Sequence, residues 1–526
     1  MYVNGISCGS KYTRNSIFFW NNCNLRRIFA VICNGFKELF LEIRRWLQTE
    51  RVPVSTTEAS GHESSRTTLD LFGQLDRAID AIPVGSVQYK ILALIALGGL
   101  FNTIEQFNVS YAGPTLTRYF GISNGELGLL STATFVAMAV GSAVAGYLSD
   151  RLGRKSLFMA NIAIFTVGAL LAALAPTYGV LVVARLLVGL GLGGELSLAY
   201  TVISEIMPTR RRGVMSGISN FVTGGIGTFA AAGLAFLVFG PFSDALGGPD
   251  LVWRWWFGLM VLPALLLIFY RRYIPETPRY LLERGDVAAT NRVLTLLEAG
   301  KLRDVPEIAT KEFLTVKPGA EPTGQKSKVG IGELFRRNVV RRTLVAWLLA
   351  LALYTIAVNL TVFMPTVLVD RGLDISSSLA YTMITTFAGT VGAAIGIAVA
   401  HRIPRKLSLV MGGIAATLLG MAFFLTSNLA LALTFAAAMM AISYLLVPVV
   451  VVYFTELFPT RIRGIGTGSS WFIGFVAAGL GSYVSGAIID SFGNGGMFIF
   501  ISAMCVLLAF AASVGPETFN RSIDDL

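Results

Sequence analysis

An internal repeat restricts what this chain can fold into more than any other feature does. The segment 205–213 (EIMPTRRRG) returns as 456–464 (ELFPTRIRG), at an offset of 251 residues (456 − 205). Two further pairs keep that offset: 150–155 (DRLGRK) with 401–406 (HRIPRK), and 108–115 (NVSYAGPT) with 359–366 (NLTVFMPT). Three matched blocks at one spacing indicate a duplicated chain. Because each half alternates long apolar segments with short basic loops, the pattern is typical of a two-lobed membrane transporter.

The composition also indicates a membrane protein. Of the 526 residues, 54% are hydrophobic and only 14% are charged, and the mean hydropathy is +0.66. These values are far from the balance of soluble globular proteins. The formal net charge of +11 could suggest nucleic-acid binding. The basic residues form small clusters beside apolar segments, however, which is a topology signal, so no nucleic-acid partner is expected.

Twelve apolar segments are long enough to cross a bilayer, whose core of about 30 Å requires roughly 20 helical residues. The predicted fold class is therefore an all-α membrane protein, with twelve transmembrane helices in two pseudo-symmetric six-helix bundles. The predicted spans are 91–116, 127–148, 157–175, 179–204, 214–240, 253–270, 344–368, 380–400, 407–426, 429–455, 465–489 and 497–514.

The domain organisation follows from these spans. The first stretch is polar and irregular apart from 28–47, where apolar and basic residues predict an amphipathic helix. It lacks the ordered charged start, apolar run and cleavage site of a secretory signal. The predicted divisions are a partly disordered extension (1–88), a six-helix bundle (89–272), a charged soluble connector (273–342), a second six-helix bundle (343–514) and a tail (515–526).

Loop charge predicts the orientation in the membrane. The short loops after spans 2, 4, 8 and 10 hold eleven Lys and Arg residues, whereas the alternate short loops and their margins hold only Arg118, Arg254 and Arg371. Basic loops face the cytoplasm. With an even number of spans, both termini and the connector are then expected on the cytoplasmic side of the plasma membrane.

Several motifs carry a family resemblance that extends over nearly the whole chain from Leu71 onward. The segment 146–155 (GYLSDRLGRK) is similar to the signature loop after the second helix of major facilitator superfamily transporters. The segment 185–193 (RLLVGLGLG) resembles their fourth-helix motif, and Pro-Glu-Thr at 275–277 and 516–518 resembles a sugar-porter pair. The chain most resembles the sugar-porter and metabolite:proton symporter branches. In the second copy of the loop signature, His401 replaces Asp150 and Pro404 replaces Gly153.

Charged residues at the ends of the spans are candidates for a cytoplasmic gate. Acidic and basic side chains near the water interface can pair and separate at modest cost. The resemblance implies that such a network closes the cytoplasmic side and releases as the lobes rock. The alternative is that the basic residues only fix topology. The candidate gate residues are Asp150, Arg151, Arg154, Glu205, Arg212, Arg405, Glu456 and Arg463.

Charges inside the spans are costly unless they are paired or hydrated, so they are candidates for function. At about 1.5 Å per residue, Glu105 lies about 21 Å into span 1 and Arg185 about 9 Å into span 4 from the opposite side, which is one depth. The resemblance implies that this pair couples protons to substrate. Glu195 is a further candidate proton carrier, or alternatively forms a helix–helix hydrogen bond. The positions 251 residues after these three are apolar.

Polar residues along the inner spans are expected to line a substrate cavity, although several could instead contact neighbouring helices. They are Gln106, Asn108, Asn220, Tyr354 and Asn359. No Walker A motif, catalytic triad pattern or metal-ligand spacing is present, so no enzyme activity, cofactor or metal site is expected.

The predicted function is secondary active transport by alternating access, as proton-coupled symport of a small organic solute such as a sugar, polyol or organic acid. The alternatives are a proton-independent facilitator or a proton-coupled exporter of the same fold. The expected partners are the solute, protons and the lipid bilayer, with the protein acting as a monomer. Val451 stands where sugar porters usually carry a Trp, so a hexose is not specified.

Overall fold

A computed structural model describes residues 63–301, 308–315, 330–337, 339–459 and 462–518. The amphipathic helix predicted at 28–47 lies outside the described residues. The first described helix, Glu63–Ala81, was not anticipated. It is amphipathic: Leu71, Leu75 and Ile79 recur every fourth residue and are buried. We call it the N-terminal helix.

The first lobe contains six helical spans, several of which are longer than the sequence indicated because they extend beyond the apolar core. Two of them, spans 1 and 6, are each made of two consecutive helices. Their bounds are Ser86–Gln106 with Asn108–Phe120 (span 1), Asn124–Leu152 (span 2), Arg154–Ala173 (span 3), Tyr178–Ile206 (span 4), Thr209–Phe239 (span 5, with a π-helical segment Phe221–Ile226), and Val252–Leu259 with Ala264–Tyr273 (span 6).

The second lobe repeats this plan after the connector, whose described helices are Pro278–Glu283, Val287–Glu298 and the 3₁₀ turn Ile331–Phe335. Its last helix is interrupted at Gly493, where the left-handed φ of 69° favours glycine. The interruption divides that helix into spans 11 and 12. The bounds are Val340–Asp370 (span 7), Ile375–Arg402 (span 8), Arg405–Leu425 (span 9), Leu429–Leu457 (span 10) and Arg463–Val514 (spans 11 and 12).

The two ends of the lobes are distinguished by their loops. We call the end at which Gly153, Met207, Ile403 and Phe458 lie the connector end, and the other the opposite end. Glycines allow the spans of one lobe to approach closely: a Cβ added to Gly193 in span 4 would lie 2.0 Å from the backbone oxygen of Met138 in span 2. The motif 185–193 is therefore a packing surface for helices.

The lobes touch at the opposite end. Ser110 in span 1 donates hydrogen bonds to the backbone oxygens of Thr361 (2.6 Å) and Val362 (2.9 Å) in span 7. Asp490, at the end of span 11, accepts bonds from the backbone N–H groups of Asn124 (3.1 Å) and Gly125 (2.8 Å) at the start of span 2. A carboxylate at a helix N-terminus is favourable because of the helix dipole.

Glycines spaced five turns apart indicate how the separation of the lobes changes along spans 2 and 11. A Cβ on Gly128 would lie 2.3 Å from the backbone oxygen of Ser482, and one on Gly486 would lie 2.1 Å from that of Asn124. The same helix faces return after 18 residues. There, a Cβ on Gly146 or Gly468 would meet no described atom within 4 Å. The lobes are thus in contact at the opposite end and apart at the connector end.

Candidate transport site

The two ionisable residues predicted at one depth form an ion pair in the first lobe. Arg185 Nη1 lies 2.5 Å from Glu105 Oε1, and its Nη2 donates to the Glu105 backbone oxygen at 3.1 Å. The side chains are 0% and 1% exposed, respectively. The backbone oxygen of Glu105 is close at hand because span 1 is interrupted immediately after Gln106, at Phe107. The interruption and the ion pair therefore occupy the same place.

Neighbouring side chains complete the coordination of this pair. Arg185 Nε donates to Thr134 Oγ1 of span 2 at 3.0 Å, and the guanidinium lies 5.8 Å from the ring centroid of Phe257 in span 6. Asn108 Nδ2 donates to the second carboxylate oxygen of Glu105 at 2.7 Å. A buried pair is favourable only when its remaining hydrogen-bonding groups are satisfied, and here spans 1 and 2 supply the hydrogen-bond partners.

The predicted cavity residues fall into two groups. Asn108 and Asn359 are fully buried, and each has an amide oxygen without a hydrogen-bond partner among the described residues. Gln106, Asn220 and Tyr354 are partly exposed. Gln106 ends the first helix of span 1, whereas Asn220 immediately precedes the π-helical segment of span 5. The structure therefore places the asparagine pair deeper than the other three residues.

An aromatic cluster in the second lobe was missed by the sequence analysis. Tyr354 packs edge-on against Trp471 and Phe475 of span 11, with ring centroids 5.4 and 5.8 Å apart. Gly474 makes this contact possible, because a Cβ there would lie 2.7 Å from the Tyr354 ring. Trp471 follows two serines within an apolar span, so one signal was available: an indole with polar neighbours favours a boundary between apolar and wet surroundings.

The third candidate, Glu195, lies in span 4 nearer the connector end. It is 2% exposed, and Asn102 Nδ2 of span 1 donates to its Oε2 at 3.3 Å. Asn102 also donates to the backbone oxygen of Leu192 at 3.0 Å. Span 1 thus carries Glu105 and, one helical turn earlier, Asn102, which contacts Glu195.

Two ion pairs form among the predicted gate residues, one in each lobe. Arg154 Nη2 lies 3.0 Å from Glu205 Oε1 in the first lobe, and Arg405 Nη2 lies 2.9 Å from Glu456 Oε1 in the second. In each pair, the two residues are 51 positions apart along the chain. Each pair lies within one lobe, so in this conformation it fastens neighbouring spans rather than the two lobes.

The other predicted gate residues have different contacts. Arg151 lies over the ring of Tyr147 at 4.5 Å, and Arg463 Nε donates to the Phe458 backbone oxygen at 3.5 Å. Arg212 donates to the Met207 backbone oxygen at 2.8 Å. It also pairs at 3.6 Å with an acid that the sequence analysis did not consider, Asp76 of the N-terminal helix. The side chain of Asp150 is outside the described part of the chain.

The two Pro-Glu-Thr motifs support these networks. Glu276 Oε1 accepts from the backbone N–H groups of Arg154 (2.9 Å) and Lys155 (3.2 Å) at the start of span 3. Glu517 Oε2 accepts from that of Lys406 at 3.3 Å, at the start of span 9. Burial raises the pKa of Glu276, while the backbone donors and Arg154 act in the opposite direction. The motifs therefore bind the N-termini of equivalent spans.

The repeat offers a matched test of the paired arginines. Arg154→Ala should lower stability by about 3–5 kcal/mol, because removing one partner leaves a buried carboxylate without its cation. Arg405→Ala should cost less: Glu456 is 25% exposed and can be hydrated, whereas Glu205 is 7% exposed. Thermal unfolding of the purified variants checks this order. Equal losses would contradict the assignment of the difference to burial.

Twelve membrane spans in two lobes that meet at one end, with a buried ion pair between spans, define a multi-pass membrane transporter. The chain belongs to the sugar (and other) transporter family, whose model matches residues 89–526. Its relatives are transporters rather than enzymes, and the predicted major facilitator fold is confirmed by the solved structures that it resembles.

Three similar proteins illustrate the relationship. The probable metabolite transport protein CsbC of Bacillus subtilis is 28% identical over 453 residues, covering 84% of this chain and 94% of that protein. The niacin transporter NiaP of Acinetobacter baylyi is 27% identical over 452 residues, covering 85% and 98%. The crystal structure of a D-xylose-proton symporter matches with a TM-score of 0.66 at 20% identity, covering 83% of this chain and all of the other.

Proposed function

We propose that the protein is a proton-coupled symporter that moves a small organic solute by alternating access, with Glu105 as the coupling carboxylate and Arg185 as its partner. The observation that carries the proposal is the buried ion pair at the interruption of span 1. A carboxylate held by a guanidinium remains ionised. When Arg185 moves toward the solute or another acid, Glu105 loses that stabilisation and binds a proton.

The orientation is part of the proposal. The connector end faces the cytoplasm, because the short loops there hold most of the Lys and Arg residues. Both termini lie on that side of the plasma membrane. Contact between the lobes at the opposite end then corresponds to a conformation closed to the outside. In this conformation the ion pairs Arg154–Glu205 and Arg405–Glu456 each connect two spans of one lobe at the connector end. A gate between the lobes forms only after the lobes rock together at that end.

The solute class follows from the lining of the space between the lobes. We assign Asn220 to the lining from the first lobe. From the second lobe we assign the Tyr354–Trp471–Phe475 cluster, which offers apolar ring faces. Such a lining suits a sugar, a polyol or an organic acid that presents both an apolar face and hydrogen-bonding groups. The names of similar proteins include niacin and D-xylose transport, which spans the same range. A thermal-shift panel of these compounds would identify ligands for the transport assay.

Glu105→Gln tests the coupling directly. The amide has the shape of the protonated acid, so we expect proteoliposomes with this variant to lose accumulation of the solute in response to a pH gradient. Exchange of solute across the membrane should persist, because the neutral form still allows the lobes to rock. Glu126→Gln is the matched control: it removes a carboxylate from the exposed capping box of span 2 and should leave accumulation intact.

Two other results would favour the alternative functions. If the wild-type protein equilibrates the solute without accumulation at any pH gradient, it is a facilitator. If the gradient drives the solute in the direction opposite to proton flow, it is an exporter. Accumulation by Glu105→Gln equal to that of the wild type would contradict the role assigned to Glu105.

A further inference from the structure

Glu105 and Glu195, two of the acidic residues buried in the first lobe, have opposite surroundings. Glu105 receives a guanidinium at 2.5 Å and an amide donor, Asn108, at 2.7 Å. Glu195 receives one hydrogen bond, from Asn102 at 3.3 Å. Among the described residues, no Lys, Arg or His forms an ion pair with Glu195. One carboxyl group is therefore equipped to carry a negative charge, and the other is not.

The second neighbour of Glu195 is the hydroxyl group of Tyr270 in span 6. A Cβ added to Gly98 would lie 2.7 Å from Glu195 Oε1 and 2.5 Å from Tyr270 Oη, so these two oxygens are at most about 5 Å apart. Tyr270 donates its proton to the Leu94 backbone oxygen at 2.7 Å. Its oxygen can then only accept a further hydrogen bond, which a protonated carboxyl group can supply and a carboxylate cannot.

A small cavity lies next to Glu195. Its lining includes Asn102 and Glu195, together with Tyr200 of span 4 and Ser219 and Thr223 of span 5. Tyr200 lines the cavity and Tyr270 lies beside Glu195, and both phenol groups are neutral near pH 7. The cavity lies toward the connector end, where the lobes are apart.

We infer that Glu195 holds the transported proton in this conformation, while Glu105 is ionised against Arg185. An unpaired carboxylate is strongly disfavoured at this depth in a membrane. When the environments of two titratable groups favour opposite protonation states, one group is suited to act as the base and the other as the acid. This inference rests on the proposed function: Glu105 takes the proton when its pairing with Arg185 is broken, and Glu195 releases it toward the connector end.

Infrared spectroscopy tests where the proton resides. Wild-type protein at neutral pH, in nanodiscs, should show the carbonyl stretch of a protonated carboxylic acid, with a shift in deuterium oxide. We expect Glu195→Gln to remove this band and Glu105→Gln to retain it. If the wild type lacks the band, or if Glu105→Gln removes it, the inference is overturned. The inference is also overturned if the band is still present in Glu195→Gln.

Transport assays separate proton binding from a purely structural role for Glu195. Glutamine preserves the shape of the side chain and an acceptor for Asn102, so Glu195→Gln should fold and exchange solute. Its pH-driven accumulation should fall about tenfold. In the wild type we expect exchange to slow as the pH rises and Glu195 loses its proton, and in Glu195→Gln the exchange rate should not depend on pH in this way. If Glu195→Gln keeps the wild-type accumulation and pH profile while Glu105→Gln loses accumulation, only this inference fails. If Glu105→Gln keeps accumulation, the coupling role of Glu105 fails instead.

Discussion

Replacing Arg185 by alanine is expected to abolish both accumulation and exchange. The guanidinium is fully buried and contacts two atoms of Glu105 as well as Thr134. Its removal leaves an ionised carboxylate uncompensated inside the membrane, at a cost of about 3–5 kcal/mol. Folded protein should become scarce. In the fraction that folds, Glu105 should be protonated, which removes the coupling, and the guanidinium that is proposed to move toward the solute is missing, which removes exchange.

A double substitution distinguishes lost stability from lost coupling. In Arg185→Ala with Glu105→Gln, no charge remains to be compensated, so the thermal unfolding temperature should recover most of the way to the wild-type value. Accumulation should remain absent, because neither the Glu105 carboxylate nor the Arg185 guanidinium is present. Recovery of accumulation would show that the pair is structural. Unfolding of the double variant at the temperature of Arg185→Ala alone would show that Arg185 acts on stability through other contacts.

Gly128→Ala is expected to prevent closure of the opposite end and so to stop transport in a folded protein. The new methyl group would lie 2.3 Å from the Ser482 backbone oxygen and 2.8 Å from its carbonyl carbon. These are backbone atoms that no side-chain rotation can move away, so spans 2 and 11 have to separate. A cysteine at Ser110, which is 0% exposed between the lobes, should then react readily with a membrane-impermeant thiol reagent from outside.

Gly233→Ala provides the matched control at the same end. In span 5, facing span 8, the added Cβ would lie 3.6 Å from the Met383 sulfur, which is an ordinary contact with a flexible side chain. Transport and the reactivity of the Ser110 cysteine should stay close to those of the unsubstituted protein. If both glycine variants behave alike, the closeness of spans 2 and 11 does not control closure.

The repeat and the charges allowed much of the architecture to be predicted from the sequence. Span number and the candidate partners Arg154, Glu205, Arg405 and Glu456 follow from local patterns, because hydropathy and loop charge are properties of short segments. The calculated depths of Glu105 and Arg185 agree with the ion pair in the structure, because the rise per residue of a helix is constant. Their role in coupling remains a prediction.

Features that depend on contacts between distant segments could not be obtained in this way. Span 1 is interrupted at Phe107, where neither glycine nor proline signals a break. Asp76 pairs with Arg212 only because the N-terminal helix packs beside the start of span 5, and Asp80 there accepts from the Thr209 backbone N–H at 2.6 Å. The helix itself could have been recognised, since Leu71, Leu75 and Ile79 share one face.

The gate prediction illustrates the same limit. The sequence identified acids and bases that can pair, but it could not indicate whether a pair joins two lobes or two spans of one lobe. That distinction depends on the relative position of the bundles, which changes in the proposed alternating-access cycle. The equal spacing of 51 residues in both pairs, repeated after 251 residues, in fact favours two copies of a contact within a lobe.

Asp490 illustrates how a residue remote from the candidate site can influence affinity. Its carboxylate binds two backbone N–H groups and the Asn124 side chain across the closed end, and charge-assisted hydrogen bonds are stronger than neutral ones. In the proposed alternating-access cycle, opening of this end breaks these bonds, so they favour the closed form over the open form. The apparent affinity for solute arriving at that end is divided by the fraction of molecules that are open. If the proposed cycle operates, Asp490 is therefore expected to influence that affinity from the opposite end of the protein, through the equilibrium between conformations.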